Sequence, residues 1–178
     1  MKEFKIVAQA NDKLIQEMIK LDNIVYQGND IGSFNKCKEW LSANQDIYTI
    51  LLCDDEVVGY INFMPITDNA YTQIKLGKLK DYDLKSNQVV KFKRNQPLKC
   101  LFTSIVIHPK YQTGLALARL WNGFIDKIKS LNITISGIIM DCVSDIGEKC
   151  AIKYLNAKFI TDSKNGKIYE GNIKELMC

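Results

Sequence analysis

Two places in the 178-residue chain combine residue types and spacings that could do chemistry. The first is the run from Cys100 to Lys127, CLFTSIVIHPKYQTGLALARLWNGFIDK, in which an apolar stretch gives way to a short loop holding Gly114. A helix begins with backbone N–H groups that have no intrahelical partner, and its dipole places partial positive charge there. Small residues at Gly114 and Ala116 let a ligand approach that backbone, and phosphate oxygens are the usual occupants of such a site. Gly114 could equally serve only to permit a tight strand-to-helix turn. The second place is Tyr154, in CAIKYLNAKF. Its phenol could give a proton to a leaving group, or its ring could pack on the core face of an amphipathic helix.

The elements around these residues must place them. Leu101 to Ile107 is rich in β-branched and aromatic residues, which reads as a buried strand. His108-Pro109 stops it, because proline offers no N–H and restrains the residue before it. Leu117, Leu120, Trp121, Phe124, Ile125 and Ile128 then recur at the spacing of one helical face. Upstream, Phe4–Ala10 reads as an opening strand. Asn11 or Asp12 caps a helix with Leu14, Ile15, Met18, Ile19, Leu21 or Asp22, and Val25 on its apolar face. Gly28–Gly32 breaks that helix, and Ser33 caps a second through Trp40, a core aromatic, and Leu41.

Asp46–Cys53 and Val57–Met64 form an antiparallel hairpin around Asp54-Asp55-Glu56, whose carboxylates read as solvated turn residues rather than metal ligands. Pro65 is expected to end the second of these strands. The stretch 67–99 is polar and lysine-rich, with a short helix over Ala70–Gly77 and an added strand at Val89–Phe92. It is either a functional insertion or a solvated excursion. Ile133–Val143 is a further buried strand, followed by helical spacing over Gly147–Ala157. Phe159–Thr161 and Lys167–Ile173 make a closing hairpin, with Asn165-Gly166 as a type I′ turn.

Residues Ile105-Val106-Ile107-His108-Pro109-Lys110-Tyr111-Gln112-Thr113-Gly114-Leu115-Ala116 resemble motif A of the GNAT superfamily of acyl-CoA-dependent N-acetyltransferases. Gly114 and Ala116 stand two apart, as that motif asks, while Gln112 falls one place late, so the loop is either one residue short or carries Tyr111 in the Gln/Arg slot. CAIKYLNAKF resembles the family's motif B, with Cys150, Tyr154 and Phe159 in the alanine, tyrosine and phenylalanine places and Lys158 where glycine is usual. The element order agrees with the family along nearly the whole chain.

The resemblance implies an α/β (α+β) single-domain GNAT fold over residues 1–178. Its mixed central sheet would be splayed between the fourth and fifth core strands, with helices on both faces and an insertion at 67–99 towards the acceptor. It implies acetyl-CoA as co-substrate, bound by the loop Tyr111, Gln112, Thr113, Gly114, Leu115 and Ala116 and by the main chain of Ile105, Val106 and Ile107. Tyr154 would be the acid that protonates the leaving thiolate. The implied activity is direct transfer of an acetyl or related acyl group to a primary amine on a small molecule or peptide. A catalytically weak acyl-CoA-binding sensor or scaffold is the alternative. No general base stands out: Asp141, Asp145 and Glu148 sit in no diagnostic pattern, and His108 occupies a strand exit.

Composition narrows the partners. The net charge of +4 is mild and carried almost wholly by lysine, with Arg94 and Arg119 the only arginines, whereas a nucleic-acid binder usually shows a denser basic face. No apolar run approaches the ~20 residues of a membrane span, and the N-terminus has no signal-peptide h-region, so a cytoplasmic protein is expected. Six cysteines without a C-x-x-C pair read as reduced thiols, and a single histidine argues against a metal site. The final hairpin is a surface through which two copies could pair as a homodimer.

Overall fold

The structure, a computed structural model, describes residues 3–26, 32–112 and 114–173. In chain order its elements begin β1 (Phe4–Val7), α1 (Asp12–Tyr26), α2 (Phe34–Ala43), β2 (Tyr48–Cys53), β3 (Glu56–Ile66) and α3 (Asp68–Lys75). They continue β4 (Pro97–Ile107), α4 (Gly114–Leu131), β5 (Thr134–Cys142), α5 (Asp145–Leu155), β6 (Lys158–Asp162) and β7 (Lys167–Gly171). The strands form one mixed seven-stranded sheet in the order β1-β2-β3-β4-β5-β7-β6. Among the described residues no helix is long and apolar enough to cross a membrane. The chain divides into two compact units, Met1–Asn62 with Ser104–Ser130 and Phe63–Thr103 with Leu131–Cys178.

In the first unit the hairpin between β2 and β3 turns at Asp54 (φ 50°) and Asp55 (φ 66°). Two successive left-handed residues give the twist that a two-residue hairpin requires, and aspartate tolerates that conformation better than most. The acidic run is therefore turn chemistry. Asn11 Oδ1 accepts from the Leu14 N–H at 2.9 Å, and Ser33 Oγ from the Lys36 N–H at 3.2 Å, so both expected helix starts are capped as read.

Helix α4 lies close to β1: a Cβ at Gly123 would stand 2.7 Å from Ile6 Cγ1. Lys127 then clamps it, donating from Nζ to the Ala8 carbonyl at 2.6 Å and the Tyr48 carbonyl at 2.7 Å. Burial pushes that ammonium down to about 8. Gly59 on β3 serves a similar close approach, since a Cβ there would stand 2.6 Å from Ile107 Cδ1 and 2.8 Å from the Val106 carbonyl oxygen.

Helix α1 buries Ile15, Met18 and Leu21 as its spacing asks, together with Asp22, only 7% exposed. The Tyr60 hydroxyl donates to Asp22 Oδ1 at 2.6 Å. Desolvation raises the Asp22 carboxyl from 3.8 to about 6, with the Tyr60 hydrogen bond pulling the other way. The folded state therefore holds a proton between roughly pH 4 and 6 that the unfolded chain gives up. Its stabilising effect is complete below the unfolded value and lost as pH rises through the folded one. Replacing Asp22 by Asn removes this dependence. Relative to the wild type, the variant should gain about 2–3 kcal/mol of stability between pH 4 and pH 7. Denaturant melts at both pH values measure it, and a difference independent of pH would refute the assignment.

In the second unit β4 pairs with β5 in parallel from Pro97↔Thr134 to Leu101↔Ile139. Both strands run on beyond that point, β4 to Ile107 and β5 to Cys142. β5 pairs antiparallel with β7, and β7 with β6. The 67–99 stretch is not a solvated excursion. Thr67 caps α3, which buries Ala70, Tyr71 and Ile74. The Tyr71 hydroxyl donates to Glu170 Oε1 at 2.6 Å, and Lys75 Nζ to both Glu170 oxygens at 2.8–2.9 Å. Leu84 (0% exposed) and Val89 (6% exposed) anchor the remainder.

Four local expectations are corrected. Strand β3 runs through Pro65 to Ile66 because that proline still contributes its carbonyl, which accepts from the Val90 N–H at 2.9 Å. Val89–Phe92 forms no strand, only the isolated bridge Ile66↔Val89, and Phe92 stacks on Phe63 with centroids 6.3 Å apart. Asn165-Gly166 adopts no left-handed turn. Gly166 is needed for close approach instead, since a Cβ would strike the Cys142 carbonyl oxygen and stand 2.9 Å from Asp141 Oδ1. Helix α5 starts at Asp145 rather than Gly147 because Ser144 Oγ accepts from the Gly147 N–H at 3.1 Å.

Candidate functional site

The strand end and loop of the first unit are built from short-range hydrogen bonds. Val106 (1% exposed) and Ile107 (9%) are buried, and Ile105 is half-buried. The chain leaves β4 where the His108 N–H donates to the Val58 carbonyl at 2.8 Å, then makes a 3-10 turn at Pro109–Tyr111. His108 Nδ1 accepts from the Lys110 N–H at 3.1 Å, so the imidazole caps this turn. Gln112 Nε2 donates back to the Ile107 carbonyl at 3.3 Å, closing the loop onto the strand. Tyr111 meets the rings of His108 and Phe4 edge-on. Thr113 lies outside the described residues.

Helix α4 then opens with Gly114 and Leu115 exposed and Ala116 fully buried. Gly114 does not have a left-handed φ, and a Cβ built on it would meet no described atom within 4 Å. Among the described residues, neither backbone strain nor packing demands glycine there. The first turn of α4 also carries no acidic residue, so no side-chain carboxylate complements the dipole from that turn. N–H groups without intrahelical partners, open space among the described atoms and no acid in the first turn together make a place where an anion can sit against the main chain. A diphosphate fits that description.

Tyr154 belongs to the second unit. Its helix buries Ala151 and Leu155, whereas Tyr154 is only half-buried at the margin of that face. Lys153 Nζ stands 5.3 Å from the centroid of its ring. Asn156, in the left-handed conformation (φ 46°), terminates the helix by donating its N–H to the Ala151 carbonyl. Phe159 is 51% exposed and edge-on to Tyr169, so it does not enter the core.

Two of the three carboxylates weighed as bases, Asp141 and Glu148, have other engagements. Asp141 Oδ1 accepts from Ser163 Oγ at 2.8 Å, and that serine in turn accepts from the Gly166 N–H at 2.9 Å, which fixes the hairpin loop. Glu148 accepts from Lys167 Nζ at 2.9 Å and from the Tyr169 hydroxyl at 2.8 Å. Those two hydrogen bonds hold its carboxyl below the ordinary range, the opposite of what a base poised near neutrality needs. The Tyr71–Glu170–Lys75 cluster escaped the sequence reading. Its partners lie 95 and 99 positions apart, and only the alternation that puts Glu170 beside Tyr169 hinted that one of that pair faces α3.

A scan against family models and a search of curated proteins find no match. Solved structures do match along almost the whole chain. The loading GNATL domain of CurA from Lyngbya majuscula superposes with a TM-score of 0.65 at 10% identity, covering 97% of this chain and 99% of that one. PaiA N-acetyltransferase from Thermoplasma acidophilum, in complex with coenzyme A, gives 0.60 at 10% identity over 96% and 99%. Arabidopsis thaliana Naa50, in complex with the bisubstrate analogue CoA-Ac-MVNAL, gives 0.60 at 9% over 95% and 98%. At such identities the likeness is one of architecture, and the architecture is unambiguous: a seven-stranded mixed sheet whose fourth strand leads into an open helix N-terminus is here the GNAT fold.

Proposed function

We propose that this chain is an N-acyltransferase that moves an acetyl, or related acyl, group from acetyl-CoA directly to a primary amine. The observation that carries the reading is the start of α4, where Gly114 leaves open space before a helix terminus with no acid in its first turn. Support comes from PaiA, described in complex with coenzyme A, and from Naa50, described with a bisubstrate analogue. In this reading the chain works as one catalytic domain.

Each role falls to a named group. The main-chain N–H groups of Gly114, Leu115 and Ala116 hold the diphosphate through the helix terminus. The main chain of Ile105 to Ile107 orients the pantetheine arm, and an N–H there polarises the acyl carbonyl. Tyr154 gives its hydroxyl proton to the departing sulfur as the carbon–sulfur bond breaks. Acetyl-CoA supplies the activated acyl carbon and the thiolate leaving group. The amine proton passes to water, since Asp141, Glu148 and His108 are committed to structural hydrogen bonds.

Those commitments, with the Gln112 amide turned back onto Ile107, favour the second reading, an acyl-CoA-binding sensor or scaffold with little catalysis. Two measurements decide. Titration calorimetry with CoA, acetyl-CoA and ATP should give binding of both thioester-related ligands and at least ~10-fold weaker binding of ATP. Thiol release across a panel of small amines and peptides should then reveal turnover with some of them. ATP binding as tight as CoA binding would overturn both readings, and CoA binding without thiol release would leave the sensor.

A further inference from the structure

Charge is unevenly distributed along this chain. Residues 67–99 hold eight lysines and arginines against three aspartates, a net of +5, so the rest of the chain, with sixteen basic and seventeen acidic residues, stands at −1. The protein's net positive charge therefore resides in one segment.

That segment is held firmly while its cations point outward. Leu84 and Val89 are buried, the Val90 N–H donates to the Pro65 carbonyl at 2.9 Å, and Phe92 stacks on Phe63. Lys91, Lys93 and Arg94 flank these anchors and are exposed, as are Lys78 and Lys85. Lys75 and Lys99 have carboxylate partners in Glu170 and Asp68. Lys80 Nζ donates to the Tyr82 hydroxyl at 2.7 Å, and among the described residues Lys78, Lys85, Lys91, Lys93 and Arg94 form no ion pair. Like charges on a pinned segment repel one another, and Asp81 and Asp83 offset only part of a segment that still carries +5.

We propose that the exposed cations of the 67–99 segment dock an acidic polypeptide segment, a binding activity beyond acyl transfer. Lysines present point charges suited to Asp and Glu on an extended chain. Phosphate-backbone recognition is disfavoured: a single arginine is present, and Asp81 and Asp83 are interleaved among the lysines. The exposed cations also lie on turns and extended chain rather than along an amphipathic helix, which disfavours a lipid surface.

Fluorescence anisotropy of a labelled oligoglutamate peptide with the full chain tests this. Binding should weaken steeply with added salt, and the triple variant Lys91→Glu, Lys93→Glu, Arg94→Glu should lose at least ~10-fold in affinity. A control with the same change in net charge, Lys13→Glu, Lys149→Glu, Lys164→Glu, should lose less than ~3-fold. The neutral variant Lys91→Gln, Lys93→Gln, Arg94→Gln should fall between, and substitutes should the reversal impair folding. Equal losses in the two charge-reversed triples would overturn the proposal. So would no peptide binding, or tighter binding to duplex DNA or to phosphatidylserine vesicles.

Discussion

Replacing Gly114 by aspartate should abolish CoA binding while leaving the protein as stable as before. The two halves of this expectation rest on the same observation. A Cβ at this position meets no described atom within 4 Å beyond its chain neighbours and has no left-handed φ to fight, so the described residues give no reason for a penalty. An acid in the first turn of α4 even complements the helix dipole, worth roughly 0.3–1 kcal/mol in favour of folding. For a bound diphosphate the same carboxylate is both an obstacle and a like charge. At ~4 Å and an effective dielectric near 20, one such repulsion is about 4 kcal/mol, close to three orders of magnitude in affinity. Calorimetry should show the dissociation constant for CoA rising by more than ~100-fold. The melting temperature should stay level or rise slightly. Gly114→Ala separates the causes, since it adds bulk without charge and should weaken binding far less. Unaltered affinity in the aspartate variant would place the phosphates elsewhere.

That argument was half visible in the sequence. The strand, the loop and the helix from Leu101 to Ile128 were legible because apolar periodicity changes there from a continuous run to helical spacing. What could not be read was whether glycine at 114 serves the turn or leaves room for something else, because the two readings have the same composition. The coordinates separate them through φ and through the space where a Cβ would lie.

The misreadings share a cause of the opposite kind. Pro65, Val89–Phe92 and Asn165-Gly166 all carry strong local signals, and each is overruled by a contact from a remote residue. Val90 uses the Pro65 carbonyl, Phe63 takes Phe92, and Cys142 with Asp141 demands the glycine at 166. Local propensity is a weak prior wherever tertiary contacts decide. The same holds for His108, Asp141 and Glu148. Each is of a residue type that could act as a base, and each proves engaged by hydrogen bonds that only the folded chain reveals.

Tyr154 is the acid of the proposed reaction, and its substitution by phenylalanine is the sharpest test of the chemistry. The change removes one hydroxyl and keeps the ring, so the contact with the Lys153 ammonium 5.3 Å away is preserved. A purely structural ring would lose little by it. An acid that protonates a departing thiolate would lose its proton, and positioned proton transfer is typically worth ~100-fold or more in rate. Water can partly substitute, because a thiolate is a tolerable leaving group. The expected fall in kcat is therefore about 10- to 100-fold, with the dissociation constant for CoA changed less than ~3-fold. Thiol release and calorimetry on the same preparation give both quantities. A loss of affinity matching the loss of turnover would mark the ring as part of the binding surface instead. Full turnover in the phenylalanine variant would leave the leaving sulfur to take its proton from solvent, and Tyr154 would then be a half-buried helix residue with no part in the reaction.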